Sequence, residues 1–91
     1  MAPRAVTVRP ARTGDEAALH ALLTENGLAL DGLDYTMWTH PCLVAVRDGE
    51  IVGMIQAHLG RPYAVVTDLA IRRDQHGKGI GVELAKALEV I

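Results

Sequence analysis

Apolar and polar residues alternate from Val6 to Arg9, and the run meets Pro10, the pattern of a short strand. Ala18, Leu19, Leu22 and Leu23 then recur at the three-and-four spacing of one helix face. Ahead of them, Thr13 and Glu16 have the spacing of a capping box, and Asp15 adds negative charge where a helix start favours it. Asn26-Gly27 supplies a left-handed stop. Residues 28–41 show no such period; Leu30, Leu33, Met37 and Trp38 suit the inward face of a broken second helix. Cys42 to Arg47 is apolar on both parities, as in a strand covered on both sides. Asp48-Gly49 signals a tight hairpin, and Glu50 to Leu59 is its return strand. Gly53 within that strand marks a bulge or a close backbone approach. Gly60-Arg61-Pro62 turns the chain into a third long apolar strand, Tyr63 to Ile71. Beyond a glycine-rich stretch, Ile80, Leu84, Leu88 and Ile91 mark one face of a last helix, flanked by Val82 and Ala85.

The predicted order is strand, helix, a broken helix, three strands, a loop and a helix, an α+β arrangement of layers. At 91 residues the chain, 1–91, is expected to be a single domain. Its 49% hydrophobic and 22% charged residues are those of an ordinary soluble globule. The net charge of −2 creates no strong field toward nucleic acid or an anionic membrane, so neither is expected as a partner. No apolar run approaches the roughly 18 residues of a membrane span, and the N-terminus has no signal-like core. Cys42 is the single cysteine and cannot form an internal disulfide, which suits the reducing cytoplasm. The four histidines and Cys42 show no metal-ligand spacing, so no metal is expected.

The stretch QHGKGIG, Gln75 to Gly81, places three glycines in five residues between a strand and a helix. A Walker loop would need glycine where Arg72 stands and a hydroxyl where Gly79 stands. The dinucleotide fingerprint would put its third glycine on Val82 or Leu84. The physics still favours an anion. Amides at a helix start lack internal partners, the dipole adds positive charge, and glycine removes the side chains that would keep a phosphate away. Lys78 adds a mobile cation. The alternative is a glycine-rich turn that holds nothing.

QHGKGIG after YAVVTDLAIRRD resembles the acetyl-CoA-binding motif of the GNAT superfamily of N-acetyltransferases, R/Q-x-x-G-x-G/A. Aligned by glycines, His76 takes the Arg/Gln position, Gly79 the first glycine and Gly81 the Gly/Ala. VRPARTGDEAALHALL is similar to the family's first strand and helix, and CLVAVRDGEIVGMIQAHL to its second and third strands, so the resemblance covers essentially the whole chain. It implies a GNAT-like mixed, mainly antiparallel sheet flanked by helices. It implies that the pyrophosphate of coenzyme A sits on the amides of His76, Gly77, Lys78, Gly79, Ile80 and Gly81. The pantetheine arm would lie along the backbone of Leu69, Ala70 and Ile71, with the Leu69 N–H polarising the thioester carbonyl. A primary amine, of a small molecule or a peptide, would attack directly without an acyl-enzyme.

Two departures alter that expectation. His76 replaces the usual Arg or Gln. Family members also continue after this helix with a strand, a helix and a closing pair of strands, and often with a tyrosine that protonates the leaving thiolate. Here the sequence stops at Ile91, and Tyr35 and Tyr63 fall elsewhere. The expected domain is therefore incomplete, lacking the C-terminal strands, either truncated or completed by a partner. An exposed strand edge would favour a homodimer.

Asp68, beside the expected thioester, is the candidate base. His58 is a weaker one, and His20 and His40 receive no role. Trp38 and Tyr35 are candidates for an acceptor pocket, and Arg72 and Arg73 for the 3′-phosphate; core packing and solvated charge are the respective alternatives. Cys42 reads as a small buried hydrophobe. The function expected is an N-acetyltransferase. The alternatives are a module that binds coenzyme A or a partner without turnover, and an assembly protein in which the strand edge dominates.

Overall fold

Asp48 and Gly49 adopt positive φ angles of 53° and 80°, the two left-handed residues of a tight hairpin turn whose twist matches the flanking strands. That turn organises the centre of the molecule. In a computed structural model of the chain, residues 6–28, 42–59 and 64–89 are described. They form β1 (Thr7–Pro10), α1 (Glu16–Glu25), β2 (Cys42–Arg47), β3 (Glu50–Leu59), β4 (Ala64–Ile71), a short 3-10 turn (Arg73–Gln75) and α2 (Ile80–Leu88). The sheet runs β1-β2-β3-β4 with every described pairing antiparallel. The predicted second helix and the acceptor-pocket candidates Tyr35 and Trp38 lie outside the described residues.

The helices cover opposite faces of the sheet, which explains why β2 reads as a continuous apolar run. Leu19, Leu22 and Leu23 of α1 pack with Cys42, Val44, Met54 and Ala70. Ile80, Leu84 and Leu88 of α2 pack with Leu43, Ala45, Val52, Ile55 and Ala57. Each fully buried leucine contributes about 1.5–3 kcal/mol relative to exposure.

Gly53 fulfils both expectations. The register steps from Ala45↔Gly53 to Val46↔Ile51, leaving Val52 as the extra residue of a bulge. A Cβ on Gly53 would lie 2.9 Å from Ile71 Cδ1, 3.1 Å from Ile80 Cγ2 and 3.4 Å from Leu84 Cδ1. Glycine here lets α2 close onto the sheet. A second bulge interrupts β4: Gln56 pairs with Asp68 and Ala57 with Val66, so Thr67 is extra, and its hydroxyl donates to the Gln56 carbonyl at 3.2 Å.

The end of α1 follows the sequence expectation. Gly27 has φ 69°, the Gly27 N–H donates to Thr24 O at 3.1 Å, and the Leu28 N–H to Leu23 O at 2.8 Å. These are the paired bonds of a Schellman stop. The start of α1 does not follow it. The cap is Asp15 rather than Thr13, with no side-chain capping bond, and the first helical bond runs from Leu19 N–H to Asp15 O at 3.0 Å. The Asp15 carboxylate is turned away instead, accepting the Arg12 N–H at 2.8 Å and the Arg9 guanidinium at 2.8 and 3.1 Å. Glu16 accepts the Gly14 N–H at 2.8 Å. A cation delivered by β1 thus replaces the capping box with a sheet-to-helix clamp.

Candidate functional site

The glycine stretch forms the passage from β4 into α2, as its sequence implies. His76 is extended, Gly77 has φ 79°, and Gly79 caps α2 in the left-handed conformation at φ 77°. A side chain other than glycine is strained at both positions. A Cβ at either would meet nothing within 4 Å, so the space over them is open. Gly81 differs: its φ is ordinary, and a Cβ there would touch Leu69 Cδ2 at 3.9 Å. The first bond of the α2 ladder runs from Glu83 N–H to Gly79 O at 3.1 Å. The amides of Gly79, Ile80, Gly81 and Val82 therefore precede the ladder and carry the positive end of the helix dipole. No side chain caps this start. His76 stands apart from the other loop amides, because its N–H donates to Arg73 O at 3.3 Å within the 3-10 turn. The amide cradle thus runs from Gly77 to Gly81, exposed at Gly77, Lys78 and Gly79 and passing into the buried Ile80.

The approach to the cradle is tied down from three sides. The Asn26 amide at the end of α1 donates to Ile71 O at 3.1 Å, and His76 Nε2 lies 2.9 Å from the same oxygen. Glu25 accepts the Arg73 N–H at 3.1 Å. From the hairpin, Glu50 accepts from Arg72 at 2.9 Å, and Arg47 donates to Gln75 Oε1 at 2.6 Å. Arg72 is also held by Asp74 at 2.7 Å. Its guanidinium is thereby claimed by two carboxylates, which argues against the phosphate role considered for it; Arg73 is exposed.

β4 is the outer strand of the described sheet, beyond β3. The Arg72 N–H donates to Val52 O at 2.8 Å. Antiparallel bonding alternates from residue to residue, so Ala70 and Asp68 also turn their backbone groups toward β3. Leu69 and Ile71 turn theirs outward. This separates the three backbone positions expected to meet a ligand: Leu69 is open, Ala70 is committed to the ladder, and the Ile71 carbonyl is taken by Asn26 and His76. The side chains along the edge are apolar and exposed, with Val65 at 59%, Val66 at 49% and Leu69 at 46%, and Val82 of α2 at 57%.

Asp68, Gln56 and Cys42 form one row across β4, β3 and β2. Burial raises the pKa of Asp68 above the ordinary carboxylate value. Burial, with the charges of Asp15 and Asp68, pushes the Cys42 thiol up to about 11, so it is inert at neutral pH and serves as core. His58 is exposed on β3 opposite Val65, and His20 is half-buried on α1. Among the described residues no cluster of His, Cys, Asp and Glu could hold a metal ion, and no helix is long and apolar enough to cross a membrane. A separate groove of 640 Å³ lies between α1 and the β2–β3 hairpin, walled by Arg9, Asp15, Glu50 and Arg72. Four of its charges are paired, Arg9 with Asp15 and Arg72 with Glu50, and Arg12 and Glu25 also line it. The cradle presents open donors, so the chemistry points there and not to the groove.

Comparison with solved structures finds this same arrangement of strands and helices. N-acetylglutamate synthase from Neisseria gonorrhoeae, complexed with coenzyme A and N-acetyl-glutamate, superposes with a TM-score of 0.77 at 19% identity, over 98% of this chain and 23% of that one. The ribosomal-protein-S18-alanine N-acetyltransferase from Escherichia coli gives 0.77 at 14% identity, over 91% and 56%. A GNAT family acetyltransferase from Elizabethkingia anophelis with acetyl-CoA bound gives 0.74 at 19% identity, over 93% and 56%. The chain spans less than two thirds of each of these proteins. A search of curated proteins finds no match. The sequence model of the acetyltransferase (GNAT) family matches residues 11–91, from the residue after β1 through the cradle and α2. The chain belongs to the GNAT acetyltransferase family.

Proposed function

We propose that residues 1–91 are the N-terminal, cofactor-binding portion of a GNAT-type domain that transfers acetyl from acetyl-CoA to a primary amine of a small molecule or peptide. The observation that carries this reading is the uncapped start of α2, with its left-handed glycines, beside the outward backbone of β4. The open space above Gly77 and Gly79 fits a diphosphate, and exposed Lys78 supplies a cation for it. Two of the structural relatives hold coenzyme A or acetyl-CoA, which supports the same ligand here.

In this reading the Leu69 N–H stabilises charge on the thioester oxygen as the amine attacks. The carbon–nitrogen bond forms, the carbon–sulfur bond breaks, the amine proton passes to Asp68 directly or through water, and coenzyme A leaves as the thiol once its sulfur is protonated. The raised pKa of Asp68 brings it toward the range useful for a general base. Asp68→Asn then lowers turnover by about 100-fold and flattens the acidic limb of the rate profile. Stability at neutral pH is unchanged or increased by it, because burial already disfavours the charged form. An unaltered rate and profile removes Asp68 from the mechanism.

The open β4 edge, with Val65, Val66 and Leu69 exposed, supports pairing of two copies. The free, buried thiol of Cys42 suits a reducing, cytoplasmic setting. Calorimetric titration of acetyl-CoA into the protein, with its mass recorded by light scattering, tests both. Binding by a dimer supports the reading and opens an amine screen. A folded protein that does not bind acetyl-CoA overturns it, and a monomer at all concentrations removes the second copy.

A further inference from the structure

We propose that Asn26 is a positioning residue for the coenzyme A cradle, acting through the carbonyl of Ile71. The inference rests on the reading of Gly77–Gly81 as the diphosphate site. The side-chain Nδ2 of Asn26 donates to Leu22 O at 2.8 Å and to Ile71 O at 3.1 Å. An amide nitrogen has two hydrogens, and both are used. One closes the last turn of α1. The other reaches 45 residues along the chain to the end of β4.

The Ile71 carbonyl is the point from which the cradle departs. Ladder alternation turns it outward, away from β3. A carbonyl oxygen only accepts, so His76 donates to it from Nε2–H across the 2.9 Å contact. Asn26 and His76 together occupy both lone pairs. Their combined effect is a latch. It closes the outward side of β4 at Ile71 and holds residues 71–76 in a closed arc. His76 leaves that arc extended and hands the chain to Gly77 at φ 79°. The His76 residue is exposed and belongs to the arc itself. Asn26 is the member of the latch anchored on a different element, where Leu22 and Leu23 are buried. Glu25, its neighbour, adds a parallel strap to the Arg73 N–H at 3.1 Å. The last turn of α1 therefore sets where the amides of Gly77 to Gly81 point.

The side-chain requirement is narrow. An aspartate would set a carboxylate against two carbonyl oxygens, and a serine would offer one donor where two are needed. Glycine is the informative replacement. The stop of α1 rests on left-handed Gly27 and the backbone bonds of Gly27 and Leu28, so Asn26→Gly keeps it while removing the strap.

The test combines acetyl-CoA calorimetry, thermal unfolding, and the amide resonances of Gly77, Gly79 and Gly81 without ligand. Asn26→Gly is expected to weaken acetyl-CoA binding about tenfold, to shift those glycine resonances, and to leave the resonances of β2 in place. His76→Ala is expected to weaken binding similarly and His76→Gln, which retains a donor, to restore it. The double variant Asn26→Gly with His76→Ala loses less than the product of the two, because both act on one carbonyl. Gly79→Glu is the control for the site. If Gly79→Glu abolishes binding while Asn26→Gly changes neither affinity nor the glycine resonances, the positioning role is overturned and the site stands. If Gly79→Glu leaves affinity unchanged, the site reading itself fails and the inference with it.

Discussion

The two helices of this protein begin in opposite ways. α1 starts among acids: Asp15 takes the Arg12 N–H and the Arg9 guanidinium, and Glu16 takes the Gly14 N–H. α2 starts at Gly79, left-handed and without a capping side chain; the nearby acid Asp74 is committed to Arg72, and Glu83 in the first turn of α2 lies 3.9 Å from Lys86. Both starts carry the same unsatisfied amides and the same dipole. Neither start has a side-chain capping bond; carboxylates held by Arg9, Arg12 and Gly14 crowd the approach to the first, while left-handed glycine leaves the space over the second open. The contrast is between a start surrounded by acids and one that glycine leaves uncovered.

The strongest way to break the contrast is to give α2 the kind of start α1 has. Gly79→Asp sets a carboxylate at the cap in a conformation that Asp tolerates better than most residues. Acetyl-CoA affinity should fall about 100-fold, equivalent to about 2.8 kcal/mol, while the fold persists; calorimetry and thermal unfolding read the two separately. Affinity retained within threefold would mean the amides at this cap do not receive the anion.

The converse change removes the acid from α1. Asp15→Ala should destabilise the fold by about 1.5–3 kcal/mol in denaturant titration, because the Arg9 guanidinium loses its charged partner, with little effect on acetyl-CoA affinity. The hydrogen bond from Arg9 depresses the pKa of Asp15 below 3.8, against the effect of burial. Its stabilisation is therefore complete above that value and is lost as pH falls through the lower folded value. Asp15→Ala should flatten the acid limb of the stability curve, and a limb identical to wild type would show that the clamp contributes nothing.

Two smaller changes sharpen the comparison. Lys78→Gln should weaken acetyl-CoA binding by about threefold to tenfold at low salt, with the difference shrinking as salt screens the exposed cation. Glu16→Gln, at the other start, should cost about 0.5 kcal/mol of stability and leave binding unchanged. A salt-independent effect of Lys78→Gln would point to packing rather than charge.

Where contacts are local, sequence was a sufficient guide. The Asp48-Gly49 turn, the Asn26-Gly27 stop, the two-sided burial of β2 and the glycine-led entry to α2 all follow from neighbouring residues and their φ preferences. The one local expectation that failed, the Thr13–Glu16 capping box, failed through a long side chain arriving from β1. Arg9 sits six residues away, and its charge outweighs a weak cap bond. Asn26 shows the limit from the other side. Its identity signalled a helix end, but nothing nearby showed that the same amide also holds Ile71.

By itself, then, the sequence determined the order of strands and helices, the faces they bury and a helix start stripped of side chains, because each depends on residues within a few positions of one another. The tertiary structure decided which backbone groups of β4 remain open, which donors take the Ile71 carbonyl and which arginine is already paired. Those outcomes depend on ladder alternation and on contacts 22 to 48 residues apart, which no local pattern encodes.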